Sequence, residues 1–372
     1  MATVEQEYAQ ASSLLNAPGL TQHDRLQRSA TLDPGVISFA GGLPDPASFP
    51  KRDLSEAFVS VLGDPACGGL QYGWPEGLPA LRQYVVSSLG RRGVKVLEEQ
   101  VLITSGAQQA LVLALNACTS AGDCVATDDV TYPGALDAIK NSGARAVPLH
   151  EAARAYYVMP RVSNPRGMSM SHTERARLLQ RARHEQALII EDDAYGDIAF
   201  TPAVEPPLIA SAPERVFHVG TFSKTLCPGL RVGWLVSPLR LAKPVLDAKQ
   251  SQDLQTNGLA QALLSAYLKT GRFDRHLSRV QQRYRRRAQR LIAALRRNLT
   301  AFRFTAPHGG FSVWLESDLR LDEEAVYEEA LQRGVTFDAA RPFRLNGGGG
   351  PFALRQPLLV FPVTRHPRPR SS

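Results

Sequence analysis

Apolar and polar positions follow two different periods along most of the chain, and each switch between them marks an element. Val101-Leu-Ile-Thr is a short apolar run; Ser105-Gly106-Ala107 then turns into a helix-spaced stretch from Gln108 to Ala117. The couplet recurs. Cys124 to Thr127 precedes a helical pattern over Tyr132–Asn141, and Ala146 to Leu149 is another apolar run. Tyr156 to Met159 precedes a helical pattern over Thr173–His184, and Ala187–Glu191, Val216–Val219 and Val232–Val236 complete the series. Short apolar runs predict buried strands, and a 3.6-residue period predicts helices. Their alternation predicts an α/β fold on a mainly parallel sheet. Ligands of such sheets bind beyond the carboxyl ends of the strands. Ser105, Asp192 and the run Thr221 to Lys224 all fall just past predicted strand ends.

On either side the pattern changes. Residues 1 to about 35 read as a helix and an extended arm, Ile37 to Pro46 as a turn-rich stretch, and Asp53–Leu62 and Gly77–Leu89 as helices. Between Arg272 and Arg297, Leu277, Val280, Tyr284, Ala288, Leu291 and Leu295 recur at spacings of three and four, which predicts one long amphipathic helix. Beyond it, Phe302–Phe304, His308–Leu315, a helix over Glu323–Arg333, Val335–Phe337 and Ala353–Gln356 read as a smaller α+β part, with Gly347 to Gly350 a flexible loop. The expected division is an N-terminal arm and small-domain segment (1–45), a large domain (46–270) and a small C-terminal domain (271–372). No internal repeat is visible.

Composition narrows the class without naming a function. The 372 residues are 44% hydrophobic and 21% charged, an ordinary globular balance. The net charge of +8 is concentrated: Arg272 to Arg297 holds ten arginines against one acid, Asp274. No nucleic-acid-binding motif accompanies them, so the expectation is a solvated outer face and no nucleic-acid partner. The four cysteines, Cys67, Cys118, Cys124 and Cys227, form no C-x-x-C pair, which fits reduced thiols in the cytoplasm. The first residues lack a basic and an apolar region, and no run of 18 apolar residues occurs, so neither a secretion signal nor a membrane partner is expected.

Two runs carry the chemistry: Glu191-Asp-Asp-Ala-Tyr195, and Gly220-Thr-Phe-Ser-Lys-Thr-Leu-Cys-Pro-Gly-Leu-Arg231. A lysine flanked by small hydroxyl residues, with an arginine seven positions on, suits a lysine that forms an imine with an aldehyde while its neighbours hold a phosphate. An acid at a strand end suits a protonated pyridine nitrogen. Those are the parts that pyridoxal phosphate needs from a protein. Lys224 is the candidate imine former, Asp192 the ring-nitrogen partner, and Tyr195 a donor to the phenolic oxygen. Gly106, Ala107 and Gln108 at a helix start, with Ser223 and Arg231, are candidate phosphate holders. Tyr132 is placed to stack on the ring, Asn164 to donate to its phenolic oxygen, and Arg355 or Arg25 to grip a substrate carboxylate.

Taken together, these motifs resemble the fold-type I pyridoxal-phosphate enzymes of the class I/II aminotransferase family, and within it the branch of 2-aminoadipate and kynurenine aminotransferases, which also supplies the effector domain of MocR-type regulators. The likeness spans roughly residues 20 to 355. It rests on Phe39-Ala-Gly-Gly-Leu-Pro-Asp, Leu70-Gln-Tyr-Gly-Trp-Pro-Glu-Gly, Thr104-Ser-Gly-Ala-Gln-Gln-Ala, Glu191-Asp-Asp-Ala-Tyr and Ser223-Lys-Thr-Leu-Cys-Pro-Gly-Leu-Arg. It implies that Lys224 anchors the cofactor and shuttles protons, that Tyr72 reaches the partner subunit's site, that Arg25 and Gly42 belong to a mobile segment touching substrate, and that Arg355 grips the α-carboxylate. It also implies a homodimer acting on an amino acid and a 2-oxo acid. Three departures stand out. Asn164-Pro-Arg-Gly replaces the usual Asn-Pro-Thr-Gly. The chain is about 15 to 20 residues short between Leu149 and Tyr156. Gln356-Pro-Leu-Leu-Val-Phe-Pro-Val replaces a polar strand and closing helix. The leading expectation is transamination. The alternatives are elimination, cyclisation or oxidation of an amino acid on the same cofactor, or a regulator that binds the cofactor without turnover.

Overall fold

The computed structural model describes residues 37–65, 67–201, 205–317, 322–345 and 356–362. In chain order the first elements are β1 (Ile37–Phe39), α1 (Lys51–Gly63), α2 (Pro79–Gly90), β2 (Val101–Thr104) and α3 (Ala107–Cys118). The αβ alternation continues with β3 (Cys124–Thr127), α4 (Pro133–Asn141), β4 (Arg145–Pro148), β5 (Ala155–Val158), α5 (His172–His184), β6 (Leu188–Asp192), β7 (Val216–Thr221) and β8 (Gly233–Val236). Three helices follow: α6 (Leu239–Asp253), α7 (Gly258–Lys269) and α8 (Phe273–Asn298). The last elements are β9 (Phe302–Arg303), β10 (Ser312–Ser317), α9 (Glu323–Gln332), β11 (Val335–Phe337) and β12 (Gln356–Pro362).

Local chemistry sets several boundaries. Pro79 and Pro133 open α2 and α4, where a missing N–H costs nothing. Ser171 and Glu174 form a capping box at the start of α5. Gly106, at φ 84°, turns the chain from β2 into α3.

The central sheet has seven strands in the order β2-β8-β7-β6-β5-β3-β4. β3 to β7 are parallel, and β8 runs antiparallel to both β2 and β7. Alternate residues of one strand enter opposite cores: Leu188 and Ile190 of β6 join one apolar cluster and Ile189 the other. Both faces are therefore covered, as a parallel sheet requires. Helix α8 sends Val280 and Tyr284 into the first cluster and Leu295 into a separate core with Val313, Leu315 and Phe337. That third core lies against the β12-β10-β9 sheet and the parallel pair β1-β11.

Three features differ from, or add to, the sequence pattern. No helix is predicted between Val236 and Arg272, yet α6 and α7 lie there. Pro244 sits inside α6, and only Val245 and Lys249 of that helix are buried, so its apolar stripe is too thin to read. The shortened segment after Leu149 carries the chain from β4 to β5 in six residues, 149–154, without a helix. A cavity of about 580 Å³ opens beside it, between Leu149, Met159, Arg166 and Arg181. The unusual run after Arg355 forms β12, antiparallel to β10 with Trp314 opposite Val360. Gly347 to Gly350 lies outside the described residues.

Candidate active site

The parallel strands β6 and β7 end side by side, Asp192 opposite Val219. Asp192 closes β6 and is buried to 5% exposure. Three residues beyond β7, Lys224 is held in a tight turn. Thr221 Oγ1 accepts the Ser223 N–H at 3.1 Å and lies 2.9 Å from Ser223 Oγ and 3.2 Å from the Val232 carbonyl. The Lys224 ammonium then stands 5.2 Å from the centre of the Tyr195 ring, a cation–π approach. Tyr195 is itself wedged edge-on against Phe311, their ring centres 5.4 Å apart.

Electrostatics separate two neighbouring acids. Burial pushes the Asp192 carboxyl above the ordinary value, while hydrogen bonds from the Ala194 N–H (3.0 Å) and the Tyr157 hydroxyl (2.8 Å) favour its ionised form. Asp193 feels the same burial, but Arg92 at 2.6 Å holds its carboxyl below the ordinary value. Asp193 already has its cation; Asp192 has none at contact distance among the described residues and suits a cationic ligand. Burial lowers the Lys224 pKa, and the Arg231 charge adds to the effect, whereas Tyr132 and Asp192 oppose it. A lysine so tuned yields its neutral, nucleophilic form more readily than an exposed one.

The opposite corner suits an anion. Gly106, Ala107 and Gln108 lie at the N-terminus of α3, where backbone N–H groups lack intrahelical partners. Arg231, in the left-handed conformation at φ 51°, donates from Nη2 to the Ser105 carbonyl at 3.3 Å. A β-carbon on Gly106 would sit 2.5 Å from that nitrogen and push the guanidinium aside, and the φ of 84° there favours glycine in any case. Tyr132 lies over Gly134, whose own β-carbon would meet the ring at 2.5 Å. Its hydroxyl approaches Gln108 Oε1 at 3.4 Å, and the Gln108 amide donates to the Gly134 carbonyl. Tyr132, Asp192, Tyr195 and Arg231 thus gather about Lys224, with Ser223 beside it, and Arg231 and Tyr132 tie this cluster to Gly106, Ala107 and Gln108 at the start of α3.

The remaining candidates are placed differently. The Asn164 side chain makes no hydrogen bond within this cluster among the described residues. Its turn, with a cis Asn164–Pro165 bond, reaches the cluster indirectly: Ser312 Oγ donates to the Pro165 carbonyl at 2.7 Å. Gly42 borders the cluster, since a β-carbon there would lie 3.7 Å from Tyr195 Oη. Tyr72 stands apart on an exposed loop with Leu70 and Trp74. Arg25 and Arg355 lie outside the described residues.

Three groups were missed in the sequence. Tyr157 supports Asp192 from the neighbouring strand, which no spacing reveals without the sheet order. Asp338, just after β11, accepts the Gly41 N–H at 2.9 Å with both carboxylate oxygens; burial first, then the Asp192 charge and lastly the Asp338 charge raise the Tyr195 pKa. Asp253, at the end of α6, gathers Gln109, Ser105 and the buried Lys249 beneath the α3 terminus.

The donor set fits pyridoxal phosphate: a buried carboxylate with no cation at contact distance among the described residues, a lysine 5.2 Å from the centre of an aromatic ring, and a helix N-terminus with an arginine beside it for an anion. Residues 67–355 match the model of the family "Aminotransferase class I and II". The chain is 37% identical to the 2-aminoadipate transaminase of Thermus thermophilus, over 86% of this chain and 84% of that protein. It is 31% identical to aromatic-amino-acid aminotransferase 1 of Thermococcus litoralis, over 83% and 80% respectively. The crystal structure of LysN, an alpha-aminoadipate aminotransferase from Thermus thermophilus complexed with N-(5'-phosphopyridoxyl)-L-leucine, superposes with a TM-score of 0.82 at 33% identity, covering 97% of this chain and 93% of that one. The chain belongs to the aminotransferase class I and II family: it is a pyridoxal-phosphate-dependent enzyme of the α/β fold type I that transfers an amino group between an amino acid and a 2-oxo acid.

Proposed function

We propose that Lys224 is the residue that binds the cofactor covalently and then carries the proton of the transfer, with Asp192 and Tyr195 as its working partners. The observation that supports this best is the meeting, in one pocket, of a lysine with a lowered pKa and a buried carboxylate lacking a cation. When bound, the cofactor supplies an electron sink for the charge left by the departing α-proton. The chain does the rest. Asp192, braced by Tyr157 and the Ala194 N–H, holds the ring nitrogen's proton. The Lys224 amine would take the α-proton and, as the ammonium, give it back at the former aldehyde carbon; burial, which lowers its pKa, favours the neutral amine that the first task needs. Gly106, Ala107, Gln108, Ser223 and Arg231 hold the phosphate, Tyr132 covers the ring, and Asn164 and Tyr195 hold its phenolic oxygen. Gly42, Arg25 and Arg355 are the proposed substrate contacts, with Arg355 on the α-carboxylate.

The protein acts as a homodimer in the cytoplasm, on this reading. Leu70, Tyr72 and Trp74 are large, adjacent and 71–78% exposed, as expected of a surface covered by a second copy. The four cysteines are unpaired, as in a reducing compartment. The division into an arm (1–45), a large domain (46–270) and a small domain (271–372) is kept as part of this proposal.

Borohydride reduction of the loaded protein followed by peptide mass mapping tests the anchor. The cofactor mass is expected on the peptide containing Lys224, and Lys224→Ala is expected to lose it together with about 10²–10⁴-fold or more of the transamination rate. A label on another lysine would overturn the assignment.

A further inference from the structure

Asp338 is a buried carboxylate, 7% exposed, on the wall that faces Tyr195 and the Gly41-Gly42 turn. Its place follows from the parallel pairing of β1 with β11, in which Phe39 lies opposite Phe337. That register sets the residues just beyond both strand ends side by side. Asp338 there accepts the Gly41 N–H with both oxygens at 2.9 Å. Gly42, the next residue, is close enough to Tyr195 that a β-carbon would lie 3.7 Å from its hydroxyl. Across Tyr195 stands the Lys224 ammonium. One side of the reaction space therefore holds the lysine, and the other a carboxylate.

Nothing among the described residues neutralises the carboxylate. Among the described residues no lysine, arginine or histidine pairs with it, and one backbone N–H is its whole set of donors. Two other buried acids do have cations: Asp45 has Arg283 and Arg287, and Asp193 has Arg92. Removed from water without a counter-ion, a carboxylate is costly, and burial alone pushes the Asp338 pKa up to about 7. A group kept at such a cost beside a reaction space is one that a ligand completes.

We propose that Asp338 is a specificity-determining residue of the substrate pocket, selecting amino donors whose side chain carries a cation, an ammonium or a guanidinium, over donors whose side chain carries a second carboxylate. The physical basis is differential: a cationic side chain supplies the charge that Asp338 lacks, whereas an acidic side chain brings a like charge into a dry space. The inference deepens the aminotransferase reading and rests on Lys224 and Tyr195 marking the reacting centre.

The test is the first half-reaction of the loaded enzyme, followed by absorbance in single turnover so that no acceptor enters. L-lysine, L-ornithine and L-arginine are compared with L-2-aminoadipate and L-glutamate, and L-norleucine serves as the neutral reference. The wild type is expected to favour the cationic donors. Asp338→Asn keeps the acceptor for Gly41 but removes the charge. It is expected to lower the cationic-to-acidic ratio at least about tenfold, with norleucine changed by no more than about threefold. Asp338→Glu, which restores the charge, is expected to recover part of the ratio. An unchanged ratio in Asp338→Asn with norleucine still active, or a wild-type preference for acidic donors, overturns the inference while leaving the aminotransferase reading intact. A wild type inert to every donor overturns both.

Discussion

At the scale of the residue, burial sets the chemistry and neighbouring charges decide its sign. Asp192 and Asp193 are adjacent in sequence and both buried, yet one is left for a ligand and the other is consumed by Arg92. Tyr157 is the support that keeps Asp192 ready, and a hydrogen bond to a charged group is worth about 1.5–3 kcal/mol. Tyr157→Phe keeps the ring and removes only the hydroxyl. It is expected to cut kcat about ten- to hundredfold at saturating cofactor; a variant as fast as wild type would show that the bond is idle. Asp338 makes a prediction about stability. Its carboxyl is pushed up to about 7 in the folded chain and titrates near 4 when unfolded. Between those values the folded protein holds a proton that the unfolded chain has released, so stability is lost as pH rises through that window, and the full cost stands above about 7. Asp338→Asn is therefore expected to match wild type near pH 4 and to exceed it by about 2–4 kcal/mol at pH 8 in urea titrations. A variant less stable than wild type at pH 8 would mean that Asp338 has a cation of its own.

Elements show how far a periodic pattern can be trusted. The long amphipathic run became α8, with Val280, Tyr284, Ala288 and Leu295 buried where the three-and-four spacing puts them. The reading of its outer face as simply solvated is incomplete. Arg283 and Arg287 reach Asp45 at 2.5 and 2.7 Å, and Arg272 reaches Asp53 and Glu56. The Asp45 side chain is wholly buried, so the pair of arginines tethers the Gly-Pro-rich turn after β1 to the helix. Removing both leaves a buried charge unpaired, and Arg283→Ala/Arg287→Ala is expected to lose about 3–5 kcal/mol in denaturant titration. Arg272→Ala, which breaks only solvent-screened pairs, is expected to lose far less. Equal losses would overturn the distinction. Helices α6 and α7 show the reverse case: Pro244 and a thin apolar stripe hid α6, and only its packing beside α3 makes it a helix.

On the scale of the whole molecule the proposed homodimer makes its own prediction. Leu70, Tyr72 and Trp74 form an apolar surface on one loop, and Gln255 holds that loop by accepting the Gly73 N–H. Burying an aromatic pair of this size stabilises an interface by several kcal/mol. Trp74→Asp is expected to shift the protein from dimer to monomer in sedimentation velocity and to lower transamination with it. A monomeric wild type, or a dimeric variant of full activity, would count against the interface. Among the described residues no helix is long and apolar enough to cross a membrane.

Much of this protein is fixed by local sequence. Strand and helix positions from Val101 to Val236 follow from periodicity, because each element must present an apolar face whatever its neighbours are. The Lys224 and Asp192 motifs carry their chemistry in residue type and spacing, and that was enough to point to the cofactor. What the tertiary structure decided are the relations between segments far apart in the chain. Strand order set Tyr157 beneath Asp192, the antiparallel β8 brought Arg231 over Gly106, and the β1-β11 pairing set Asp338 against Gly41. Those contacts join residues 35 to 297 positions apart, and no local period encodes them: they exist only once the sheets have closed and water has been driven from between them.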